Sequence, residues 1–77
     1  MTLDIVTPDR SLFSGEVDLV QLPGLDGSFE ILDNHAPLIS VLTKGVIKIL
    51  QGKEDDYFEV KGGVVEVLEN KVLVLAE

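Results

Sequence analysis

Few side chains in this chain have the chemistry for catalysis: one histidine stands among fourteen carboxylates, and there is no cysteine. His35 follows Asp33 by two positions, a pairing that in an enzyme would make a general base and the group that orients it. Side chains two apart on an extended strand share a face without having to touch, and no serine occupies a strand-to-helix elbow. His35 therefore reads as a turn cap or a surface residue. A metal site needs three or four convergent ligands, which a lone histidine among scattered acids does not supply. The acidic run Glu54-Asp55-Asp56 lacks the ligand spacing and central glycine of a calcium loop and reads as the solvated tip of a hairpin. Gly24-Leu25-Asp26-Gly27 joins strand to strand, with no helix N-terminus behind it to receive a phosphate. No cofactor is expected, and the residues point to binding.

The elements that must position these groups are strands. Within Leu22–Leu42, Pro23-Gly24 and Asp26-Gly27 offer backbone positions for a tight reversal. Ser28–Leu32 is then a short strand, Asp33-Asn34 turns the chain again, and Leu38–Leu42 is a strand with Pro37 at its head. Before this stretch, Leu3–Thr7, Ser11–Ser14 and Glu16–Leu22 alternate apolar and polar residues, with Pro8-Asp9-Arg10 and Gly15 between them. After it, Val46–Leu50 and Tyr57–Lys61 flank the polar Gln51–Asp56, and Gly62-Gly63 allows a bend or a close crossing. Val64–Leu68 and Lys71–Ala76 flank Glu69-Asn70, where Asn70 suits the left-handed conformation of a tight hairpin. The last strand is apolar on both sides, so it is either central and covered twice or has one face waiting for a partner. No stretch keeps a helical period. The expected fold is all-β: a small antiparallel β-sandwich of about nine to ten strands, one domain over residues 1–77.

Composition sets the margins. A chain of 77 residues without disulfides must draw its stability from burial, with a total of roughly 4–11 kcal/mol. The net charge of −8 argues against nucleic acid and anionic lipid as partners and favours a basic one. Residues 1–38 carry seven acids and one base, so the acidic bias sits in the half that holds the turn-rich stretch. No run approaches the length of a membrane span, and the start resembles neither a signal peptide nor an Arg-rich transit peptide, which favours a bacterial or organelle-encoded origin.

One segment carries a family pattern. Leu22-Pro23-Gly24, Gly27, Phe29, Ile31-Leu32 and His35-Ala36-Pro37-Leu38 closely resemble the signature of the epsilon subunit of F-type ATP synthase. Ile5-Val6-Thr7-Pro8, Leu12–Val17, Lys44–Ile49, Gly62–Val67 and Val72–Ala76 match the same family in the right order, so the resemblance covers essentially the whole chain. It implies a β-sandwich in the rotor, seated against the gamma subunit and the membrane c ring and fastening one to the other. That role is mechanical, not enzymatic, and its place is the cytoplasmic face of the bacterial inner membrane, peripheral to it. Glu30 stands where the family usually has glycine, so the backbone there should avoid positive φ. The sequence stops at Glu77, where most members continue into a two-helix hairpin, so no inhibitory arm and no nucleotide site carry over.

The resemblance also implies partner contacts. Gly27–Leu32 and Asp33–Leu38 are placed at the ring-facing end, with Asp26, Gly27, Ser28, Phe29, Glu30, Ile31 and Leu32 against the polar loops of the c ring. Those loops typically carry an arginine, which Asp26, Glu30 and Asp33 would complement. Asn34, His35, Ala36, Pro37 and Leu38 are placed near the gamma contact. A small acidic adaptor of another complex is the alternative, and a stand-alone ligand-binding sandwich would need a concave apolar pocket that the sequence does not mark.

Overall fold

Apolar side chains at every second position build nine strands in this computed structural model, which describes residues 1–77. They are β1 (Thr2–Val6), β2 (Ser11–Glu16), β3 (Leu19–Gly24), β4 (Gly27–Leu32), β5 (Leu38–Leu42), β6 (Gly45–Gln51), β7 (Glu54–Val60), β8 (Gly63–Leu68) and β9 (Lys71–Ala76). Hydrogen bonding runs unbroken in the order β2-β1-β9-β8-β5-β3-β6-β7, and β4 pairs with the other side of β3. The sheet folds over where one strand runs almost directly into the next. β2 ends at Glu16 opposite Thr2, and after Val17 and Asp18 the chain continues as β3, with Leu19 opposite Leu50. The Val17 N–H donates to the Met1 carbonyl at 2.9 Å and the Asp18 N–H to the Leu50 carbonyl at 2.8 Å, so the crossing residues are held by opposite layers. β5 likewise leaves β8 at Leu42 and, after Thr43 and Lys44, becomes β6 against β7. One layer is thus β2, β1, β9, β8 and β5, and the other is β4, β3, β6 and β7.

The inward side chains of both layers form one core. Leu3, Ile5, Val65, Val67, Val72 and Val74 meet Val20, Leu22, Ile31, Ile47 and Ile49, all fully buried. No buried side-chain polar atom lacks a hydrogen bond. The rings of Phe13 and Phe58 pack edge to face with centroids 5.9 Å apart, closing the seam between β2 and β7 at the two ends of the hydrogen-bonded order.

The expected all-β sandwich of about nine to ten strands is present, with nine strands and local differences. β1 and β9 pair in parallel, Thr2 beside Lys71 and Val6 beside Leu75, because the whole intervening chain serves as the crossover that a parallel pair requires. Pro23 lies inside β3, and the reversal is made by Leu25 and Asp26. β3 pairs with β6 through Leu19–Gln21 and with β5 at Gly24, so Pro23 occupies the position where the neighbour changes. Its carbonyl accepts the Thr43 N–H at 2.8 Å, and the missing proline N–H leaves no donor unpaired at that switch. Glu54-Asp55-Asp56 is the start of β7 and not a loop: β7 is an edge strand, where outward carboxylates remain solvated and discourage pairing with other chains. Gly15 continues β2 opposite Leu3 and makes no turn. Gly63, at φ 146°, is the close crossing foreseen at Gly62-Gly63, since a Cβ there would run into the Leu75 carbonyl oxygen.

Candidate partner-binding surfaces

The β3–β4 hairpin presents the first group of expected contacts. Leu25 and Asp26 form its tip, with positive φ at Gly27 (126°), and Gly24 must be glycine because a Cβ would collide with the Gly27 carbonyl and the Phe29 ring. Along β4 the side chains alternate: Ser28, Glu30 and Leu32 face solvent, Phe29 is half-buried, and Ile31 is completely buried. Asp26, Gly27, Ser28, Glu30 and Leu32 are therefore open to a partner. Ile31 is not, because its side chain is core, and Phe29 packs against that core. The expected avoidance of positive φ at Glu30 agrees with its backbone. A shallow groove of about 620 Å³ runs between the tip and β5, with Leu25 and Phe29 on one wall and Ile39 and Val41 on the other.

The second group lies elsewhere. The five residue steps of β4 carry the chain roughly 17 Å, so Asp33–Leu38 sits at the opposite end of the strand from Asp26–Ser28, and the two stretches do not share one ring-facing end. Asn34 takes a left-handed conformation (φ 61°) and its N–H donates to Asn70 Oδ1 at 2.7 Å, tying this turn to the β8–β9 turn. Asn34, His35, Ala36 and Pro37 are exposed, and Leu38 is half-buried. His35 Nδ1 lies 2.7 Å from the Ala36 carbonyl, close enough for its N–H to donate there.

Asp33 has another partner than His35. The Met1 ammonium donates to Asp33 Oδ1 at 2.8 Å and to the Val17 carbonyl at 3.2 Å, and lies 3.5 Å from Glu16 Oε2. The hydrogen bond to Asp33 holds the α-ammonium above its ordinary pKa. That bond, joined by one from the Asn70 side chain, holds the Asp33 carboxyl below the ordinary carboxylate range. Asp33 and His35 thus form no acid–base pair. Asp33 already has a cation beside it, whereas neither Asp26 nor Glu30 has one within the chain. No three of the His, Asp and Glu side chains converge as metal ligands.

Six exposed apolar side chains that were not assigned a contact from sequence, Ile39, Val41, Val64, Leu68, Leu73 and Leu75, lie together on β5, β8 and β9. On the outer face of β9, β8 and β5, the register places Leu75, Val64 and Val41 in one row and Leu73, Glu66 and Ile39 in the next. Ile39 is 72% exposed, Val41 and Leu75 each 52%, and Leu68, beyond Glu66 on β8, 51%. β9 is flanked by β1 and β8, yet one of its faces is bare within the chain. The signal was Leu73 and Leu75. Recognising the same face on β5 and β8 required knowing that those strands lie beside β9.

Comparison with known proteins agrees with this architecture. The family described as "ATP synthase, Delta/Epsilon chain, beta-sandwich domain" matches residues 1–77. The ATP synthase epsilon chain of Chlorobium limicola is 49% identical over 76 residues, covering 97% of this chain and 86% of that protein. That of Chlorobaculum tepidum is 46% identical over 77 residues, covering 99% and 88%. Against the epsilon chain of Maridesulfovibrio salexigens, 47% identical, this chain spans 54% of the relative's length. Among solved structures, a chain of the Euglena gracilis mitochondrial ATP synthase superposes with a TM-score of 0.90 at 19% identity, covering 96% of this chain and 48% of that one. A chain from the central stalk and c-ring structure of the Tetrahymena thermophila mitochondrial ATP synthase gives 0.84 at 18% identity, covering 97% and 61%. At these identities the structural likeness speaks for the fold, while the sequence matches speak for kinship. The chain belongs to the delta/epsilon chain family of ATP synthase, in its β-sandwich domain.

Proposed function

We propose that this chain is a non-catalytic subunit of the central stalk of F-type ATP synthase, joining the gamma subunit to the c ring at the cytoplasmic face of a bacterial inner membrane. The observation that carries this reading is the bare apolar face of β9, β8 and β5 on an otherwise well-packed sandwich whose family is that of the epsilon chain. Such a face suits a lasting protein contact and offers no chemistry. The hairpin tip supplies a second, polar contact: Asp26, Ser28 and Glu30 are exposed, with no cation of the chain paired to either acid. They suit the polar loops of a c ring that present an arginine.

Calorimetry with the isolated gamma subunit, at low and at high salt, tests the first contact. Tight binding supports the stalk assignment, and no binding to demonstrably folded gamma overturns it. For the second contact, the double variant Asp26→Lys, Glu30→Lys should weaken attachment to purified c ring about tenfold and invert its salt dependence, because rim charges chiefly set encounter and orientation. Unchanged attachment would remove the electrostatic role from the hairpin tip.

A further inference from the structure

On the bare face of β9, β8 and β5, one side chain is out of place. Glu66 is exposed at the centre of β8, with Leu73 opposite on β9, Ile39 opposite on β5, and Val64 and Leu68 before and after it on its own strand. Four apolar neighbours surround one carboxylate. Both ion pairs of the chain are made by the Met1 ammonium, so Glu66 has no partner within the chain, and Lys71 stands one row away beside Leu68. Glu66 also borders a hollow of about 130 Å³ whose other walls are Pro37, Leu38, Ile39, Val67 and Leu68. An apolar cleft closed at one side by a carboxylate fits a long side chain that is aliphatic along its stem and cationic at its tip.

We infer that this face docks a protein surface whose apolar contact is centred on one lysine or arginine, which enters the hollow between β5 and β8 and pairs with Glu66. The inference rests on the stalk reading and names the chemistry of the gamma surface that meets this face. Covering the face with apolar groups alone would strand a carboxylate away from water, which is strongly unfavourable without a cation to meet it. A second copy of this chain is disfavoured as occupant, because each copy carries a net charge of −8. Pro37 and Leu38, assigned from sequence to the gamma contact, reach this surface as walls of the hollow.

The test is calorimetric titration of the intact chain with isolated gamma subunit over a range of salt concentrations. Glu66→Gln keeps the shape and removes the charge; it should raise Kd by about tenfold or more and flatten the salt dependence. Ile39→Asp should raise Kd at least as much, because it sets a second carboxylate beside the first. Asp55→Asn, on the exposed edge of the other layer, should leave Kd unchanged. Thermal unfolding of each variant confirms that it is folded, and these solvent-facing changes leave the core intact. If wild-type chain binds gamma and Glu66→Gln binds equally well with the same salt slope, the inference is overturned while the stalk assignment stands. If wild-type chain does not bind folded gamma, both fall.

Discussion

At the scale of single residues, the Met1 ammonium and the Asp33 carboxylate stabilise one another through a 2.8 Å hydrogen bond at the surface. Their shifts have opposite signs and so define a window. Asp33 is held below its ordinary value, so its contribution is present above about pH 4 and is lost as pH falls through the lowered value. The ammonium is held above its ordinary value, so its contribution is present below about pH 8 and is lost as pH rises through the raised value. The melting temperature of Asp33→Asn should fall below that of wild type between these limits, with the gap closing toward both extremes and shrinking in high salt. A gap that stayed constant across pH would mean that the pair contributes nothing. None of this was legible in the sequence, where thirty-two positions separate the partners and Asp33 was read against its neighbour His35. The burial of Ile31, by contrast, follows from alternation once Glu30 and Leu32 are known to face outward.

At the scale of elements, the β8–β9 hairpin was the clearest local signal, and the structure gives it a two-residue turn with both Glu69 (φ 50°) and Asn70 (φ 61°) left-handed. Asn70 suits that conformation and also accepts the Asn34 N–H, whereas Glu69 has no such compensation. Glu69→Asn should therefore stabilise the protein by about 0.5–1 kcal/mol, a rise of roughly 2–8 °C in a domain of this size, measured by thermal unfolding. A decrease would show that the Glu69 side chain makes a contribution beyond its backbone. Strand identity was readable wherever one face is core, as in β6, β8 and β9. It was not readable for Glu54-Asp55-Asp56, because an edge strand with both faces toward solvent has no alternation to display. Nor does the local sequence reveal that β2–β3 and β5–β6 change layers at Val17-Asp18 and Thr43-Lys44, since the residues there are those of an ordinary strand or turn.

At the scale of the whole molecule, the first and last strands are neighbours, so the fold closes only when the two ends of the chain meet. Such long-range pairing makes the search for the native topology slow relative to helical proteins of equal length, and refolding should take milliseconds to seconds in stopped-flow fluorescence, followed through Tyr57. Microsecond refolding would imply that the β1–β9 pairing is not needed to reach the native signal. β5 gives the assembled molecule a further property. Its side chains Ile39 and Val41 wall the groove beside the hairpin tip and also belong to the bare face. In the proposed stalk, a turning force that entered at the tip and left through that face would run lengthwise along this one strand. It is bonded to β8 from Leu38 to Leu42, so those bonds would be loaded in shear, all together, instead of being peeled apart in turn. In that stalk, a five-residue strand arranged in this way would work as a stiff coupling.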